Sequence, residues 1–117
     1  VTGEWVKLPD AEDAQIEPAK LRDYLLSSTH PIGRFKYRFF SRLGYTSGQW
    51  RRLEADLREL AVTGEATPGE STEYGQKYEV RGMLKGPSGR MAEVVTVWIV
   101  LAGQETPRFV TAFPGGA

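Results

Sequence analysis

From Tyr74 onward the apolar residues of this chain stop following a helical period and begin to alternate with polar ones. That switch constrains the fold more than any single motif does. Before it, "PAKLRDYLLS", "PIGRFKYRFFSRLGY" and "QWRRLEADLRELAV" place apolar residues at helical spacing. After it, "QKYEVRGML", "MAEVVTVWIVL" and "RFVTAF" are rich in β-branched and aromatic residues, as strands are. The connections "KGPSGR" and "AGQETP" are short, so consecutive strands lie antiparallel. The expected fold class is α+β: three N-terminal helices packed on one face of a three- to four-stranded antiparallel meander sheet, with the other face open.

Punctuation residues set the expected boundaries. One domain spans 1–117, with an extended arm over 1–17, a helical part over 18–62 and the sheet over 74–114. Within the arm, "AQIE" can pair as a short strand. Pro18 and Pro31 suit the first turns of the first two helices, and Gly44 suits the C-terminal cap of the second. "TSGQ" offers the third helix a threonine and a glutamine at capping-box spacing. That helix carries Trp50, Leu53, Leu57, Leu60 and Ala61 as its apolar stripe, with Glu54 and Arg58 as an i, i+4 pair. "VTGEATPGEST" has the composition of a flexible loop. In the long strand, Glu93, Val95, Val97 and Ile99 are expected to meet the helices, so that Thr96 points to the open face.

Composition removes several chemistries. The 117 residues suffice to close a core without metal or disulfide support. There is no cysteine, which excludes a thiol nucleophile, a disulfide framework and a cysteine-built zinc site together. No apolar run reaches membrane-span length, and no membrane partner is expected. The chain begins at Val1 without a signal-peptide pattern, as expected of a piece of a longer protein or a processed product. Net charge is zero, which argues against a dedicated nucleic-acid-binding module, yet the charge is unevenly placed. Acids predominate from Val1 to Ala19, whereas Arg34, Lys36, Arg38 and Arg42 stand in a stretch with no acid.

Lys36 is the anomaly of that basic stretch. At about 100° per residue, Ile32, Phe35, Phe39, Phe40 and Leu43 share one arc of the second helix, and Arg34, Arg38, Ser41 and Arg42 lie opposite. Lys36 falls inside the apolar arc, between Phe39 and Phe40. A lysine there snorkels out along its stem, pairs with a buried carboxylate, or lines a cleft floored by the core.

The chain has one histidine, His30, too few for a zinc site without cysteine but suited to proton transfer near neutrality or to capping the following helix. No D-x-D or E-x-x-H pattern is present, and "GPSGR" is followed by nothing like a phosphate-loop helix. The remaining set is His30, Lys36, several arginines and strand threonines. Such groups suit cleavage of RNA by its own 2′-hydroxyl, a reaction that needs a base, an acid and positive charge but no metal or other cofactor. The candidate catalytic residues are His30, Lys36, Thr96, Arg108 and Thr111, with Arg34, Arg38 and Arg81 as substrate-binding candidates.

The segments "KLRDYLLSSTHPIGRFKYRFFSRLGY", "YGQKYEV", "TVWIV" and "PRFVTAFP" resemble a bacterial family, a domain of unknown function, found as small stand-alone proteins and as the C-terminal tips of polymorphic toxins. The order of helices and then a meander ending in "RFVTAFP" is more loosely similar to ribonuclease toxins of the barnase, EndoU, colicin and RelE-like group. That resemblance implies His30 and Lys36 on the helix side of a site, and Thr96, Arg108 and Thr111 on the sheet side. It also implies an RNA substrate, a cognate immunity or antitoxin protein, and secretion or delivery into a target-cell cytoplasm as part of a larger protein. The competing class is a cytoplasmic, non-enzymatic interaction domain of antitoxin, immunity or adaptor type, which would set Arg34, Arg38 and Arg42 against an acidic partner.

Overall fold

β-Branched and aromatic residues build the centre of the sheet. β1 (Glu65–Thr72), β2 (Gly75–Lys85), β3 (Met91–Leu101) and β4 (Arg108–Pro114) follow one another across it in the order β1-β2-β3-β4, each neighbour antiparallel. The computed structural model describes residues 7–115 without the side chain of Phe35, so the expected places of Phe35 and of residues 1–6 lie outside the described residues. β2 and β3 pair without interruption from Gly75↔Leu101 to Lys85↔Met91.

β1 occupies part of the stretch expected to be a flexible loop. Its Pro68 and Gly69 fall where the β1–β2 register shifts, between Pro68 and Ser71, and β1 is an edge strand. An edge tolerates a missing N–H and a bulge, so loop-like composition and strand pairing coexist here.

The helical part corrects the expectation of three N-terminal helices. Among the described residues only two α-helices exceed one turn, α2 (Arg34–Arg42) and the longest, mid-chain α3 (Trp50–Thr63), whereas α1 (Pro18–Lys20) is a single turn. After α1 the chain widens into a π-helical turn, Leu21–Leu25, closed by the Leu26 N–H donating to the Leu21 carbonyl at 2.9 Å. The cause is the leucine spacing. Leu21, Leu25 and Leu26 are all buried, and the wider turn brings Leu26 back beneath Leu21, which an α-helical turn does not do.

α3 presents Leu53, Leu57, Leu60 and Ala61 to the core as expected, with Trp50 at its margin. Its expected capping box does not form: a 3₁₀ turn, Ser47–Gln49, precedes it, and no side chain caps it. Gly44 does end α2, with φ at 98° and the Tyr45 N–H donating to the Phe40 carbonyl.

The sheet turns its faces the other way from expectation. Val94, Thr96 and Trp98 are fully buried, with Trp98 against Phe109 at 5.3 Å between rings. The indole outweighs one hydroxyl in choosing the face, and the hydroxyl is satisfied there. Thr96 Oγ1 accepts from Trp98 Nε1 at 2.7 Å and donates to the Val80 carbonyl at 3.0 Å. Val95 is buried as well, beside Gly115, whose N–H donates to the Glu93 carbonyl. The arm contributes Leu8, Ala11, Ala14 and Ile16 to the core, and Gln15 bridges Arg108 at the outer edge of β4.

Candidate functional site

The run "HPIGRFK" is held together by three residues, one per turn of chain. His30 Nδ1 accepts the N–H groups of Ile32 and Gly33 at 3.0 and 2.9 Å, capping the entry to α2 where no hydroxyl or carboxylate does so. Gly33 passes directly over the π turn: a Cβ there would stand 2.0 Å from the Tyr24 carbonyl oxygen, so only glycine permits the approach. Lys36 follows one turn into α2 and reaches back over the same tyrosine.

The sheet side of the site depends on a bulge. Val97 pairs with Thr111 and Trp98 with Phe109, so Val110 is extra in β4. Phe109 and Ala112 both turn to the core, which strict alternation of β4 does not give. Thr111, between them, brings its hydroxyl to the rim of the sheet.

There the Lys36 ammonium donates to Tyr24 Oη at 2.8 Å and to Thr111 Oγ1 at 2.7 Å, while the two hydroxyls stand 3.2 Å apart. The ammonium also lies 5.2 Å from the centre of the Tyr24 ring. The snorkelling and carboxylate-paired alternatives for Lys36 are both displaced by this arrangement: its partners are hydroxyls. Burial disfavours ionisation of Tyr24, but hydrogen bonds from Lys36 and Thr111 and the charges of Lys36 and Lys20 outweigh it, holding the phenol below the ordinary tyrosine range.

Tyr24 and Thr111 open onto a cleft of about 580 Å³, whose wall also includes Lys20, Asp23, His30 and Val110. Lys36 stands behind the two hydroxyls and supplies its charge through them. Lys20 bonds the Val110 carbonyl at 3.4 Å. His30 packs edge-on against Tyr24 at 5.1 Å. Because its Nδ1 serves the two backbone amides, Nε2 carries the proton of the neutral ring and is a donor rather than a base.

The structure therefore brings together three of the expected site residues, His30, Lys36 and Thr111. Thr96 is enclosed in the core with both hydrogen-bonding roles of its hydroxyl used. Arg108 is half-buried, outside the cleft wall, and its Nε is buried without a hydrogen-bond partner. Arg81 is held by Glu93 at 3.4 Å and by the Gly115 carbonyl at 2.9 Å. Arg34 and Arg38 line a separate cleft. Tyr24 and Lys20 were not among the sequence candidates. The available signal for Tyr24 was Lys36 itself, since an inward lysine with no carboxylate nearby needs oxygen partners. Among the described residues no three histidine, aspartate or glutamate side chains gather as a metal site.

Residues 7–116 match a family model described as a domain of unknown function, DUF6883. Among solved structures, a chain of a contact-dependent growth inhibition toxin–immunity protein complex from Klebsiella pneumoniae 342 superposes with a TM-score of 0.69. The two are 17% identical, and the match covers 86% of this chain and 98% of that one. At that identity the likeness is one of fold. No curated protein matches the chain.

Proposed function

This chain belongs to the DUF6883 family, and from that premise and the Lys36–Tyr24–Thr111 cluster we propose that it is a metal-independent ribonuclease toxin domain. The observation that carries the reading is one ammonium shared by two hydroxyls on a cleft wall, one of them an acidified phenol. The fold kinship with a chain of a toxin–immunity complex supports it.

In its ionised form, which Lys36, Thr111 and Lys20 favour, the Tyr24 oxygen takes the proton of the RNA 2′-hydroxyl as that oxygen bonds to phosphorus. Lys20, on the cleft wall, and Lys36, behind it, stabilise the charge that develops on the phosphate. The bond to the 5′-oxygen breaks, and the leaving oxygen takes the Thr111 proton, which the Lys36 ammonium replaces across 2.7 Å. Lys36 then recovers a proton from Tyr24 across 2.8 Å, which restores the starting state. The products are a 2′,3′-cyclic phosphate and a 5′-hydroxyl. His30 Nε2–H donates a hydrogen bond to a non-bridging oxygen, a role that replaces proton shuttling.

As a toxin the domain acts in the cytoplasm of a target cell, delivered as part of a larger protein, and a cognate immunity protein protects its producer. The test is incubation with total RNA in excess EDTA. The parent is expected to leave 2′,3′-cyclic phosphate ends, and Lys36→Met to cleave about 10²- to 10³-fold more slowly at a similar melting temperature. Intact RNA in every lane, with a melting temperature changed by Lys36→Met, would favour the non-enzymatic reading, in which the cluster only ties α2 to the edge strand.

A further inference from the structure

The reactive cleft is the first of three that adjoin. It shares Asp23 and His30 with a second, of about 540 Å³, walled by hydroxyls of Ser27, Ser28, Thr29 and Ser47. The second shares Ser28 with a third, of about 550 Å³, lined also by Arg34, Tyr37 and Arg38. Each has the volume of an ordinary small-ligand site. Their chemistry changes in sequence from an apolar wall of Ala19, Tyr24 and Val110, through hydroxyls, to an aromatic ring and two arginines.

We propose that these clefts form one track for single-stranded RNA, in which the third holds a flanking nucleotide, its base on Tyr37 and its phosphate at Arg38 and Arg34. The ligand class rests on the ribonuclease reading; the track itself rests on the shared walls. A nucleic-acid strand alternates flat apolar bases with hydrogen-bonding sugars and anionic phosphates, and so do the clefts. A protein-docking patch would instead have an apolar centre and a polar rim. Asp23 at the first boundary would repel a phosphate, but both its oxygens accept from Arg22 at 3.1 Å, which offsets its charge. The Ser27–Thr29 turn that floors the second cleft is fixed by Ser27 Oγ, which accepts the Thr29 and His30 N–H groups.

The test is binding of fluorescent 2′-O-methyl RNA, which lacks the attacking hydroxyl, as a dinucleotide and as a hexanucleotide. The hexanucleotide is expected to bind at least about tenfold more tightly. Tyr37→Ala should weaken it by about tenfold, the size of one lost base–aromatic stack, whereas Tyr37→Phe should not. Arg38→Ala should lower the slope of log affinity against log salt by about 0.7. Equal affinity for the two lengths, indifference to Tyr37→Ala, or equally tight binding of poly-glutamate would each overturn the track. Length-dependent binding through Tyr37 by a parent that leaves RNA intact would retain the track and remove the ribonuclease reading. Cleavage with length-independent binding would do the reverse.

Discussion

Tyr24 and Tyr45 place the same phenol in opposite surroundings. Tyr45 is 1% exposed and donates at 2.6 Å to Asp56, whose oxygen also accepts from Arg52 at 3.0 Å. Burial and the carboxylate drive its ionisation far above the ordinary tyrosine range. Tyr24 is half-buried, faces an ammonium in place of a carboxylate, and its ionisation is shifted down. The first site retains its proton and joins the loop after α2 to α3. The second holds its proton less tightly than a free phenol does. Burial opposes ionisation of both phenols, and the partner then adds to it at Tyr45, where it is a carboxylate, and outweighs it at Tyr24, where it is an ammonium.

The largest effects that could break this comparison are on rate. Tyr24→Phe should slow RNA cleavage by about 10²- to 10⁴-fold, the range of a lost general base. Thr111→Val removes the group that passes a proton to the leaving oxygen, and a loss of about 10²- to 10⁴-fold is expected there too, the range of a lost general acid. Single-turnover gels on one defined RNA measure both.

Stability supplies the middle of the range. Tyr45→Phe removes a bond to a charged acceptor and should cost about 1.5–3 kcal/mol in urea denaturation. Thr96→Val leaves Trp98 Nε1 buried without its acceptor and should cost about 1–3 kcal/mol. Either variant that unfolded no more readily than the parent would show its hydroxyl to be ornamental.

The smallest effect sharpens the comparison by its sign. The Tyr24 phenol ionises lower in the folded chain than in the unfolded one, so the unfolded state holds more protons in that window and stability rises with pH towards about 10. That contribution is complete above the unfolded value and disappears as pH falls through the folded one. Tyr45 is shifted up, so its contribution is complete below about pH 10 and is lost as pH rises further. Urea midpoints across about pH 8–11 should therefore lose their rise in Tyr24→Phe and their alkaline fall in Tyr45→Phe.

The regular parts of the fold were legible because one rule sufficed for each. The Leu53, Leu57, Leu60 stripe and the continuous β2–β3 pairing follow from spacing alone. Where two demands compete, spacing fails. The π turn answers to three leucines at once, and the face of β3 was decided by Trp98 against Thr96. β1 has the composition of a loop because its outer edge bonds to nothing in the sheet. At the site, Lys36 was visible as a charge in the wrong arc, and Thr111 as a strand hydroxyl. Their meeting depends on the Val110 bulge, which no local residue type announces. Tyr24 was hidden because a tyrosine in an apolar stripe reads as core until its hydroxyl's partner is known.

The most direct test of the central claim compares the two tyrosines in one reaction. Parent, Tyr24→Phe and Tyr45→Phe are incubated with a defined RNA in excess EDTA, at a temperature where all three are folded by circular dichroism. Cleavage by the parent and by Tyr45→Phe at similar rates is expected, with cleavage lost in Tyr24→Phe alone. Intact RNA with the parent, or an equal loss in both variants, would contradict it.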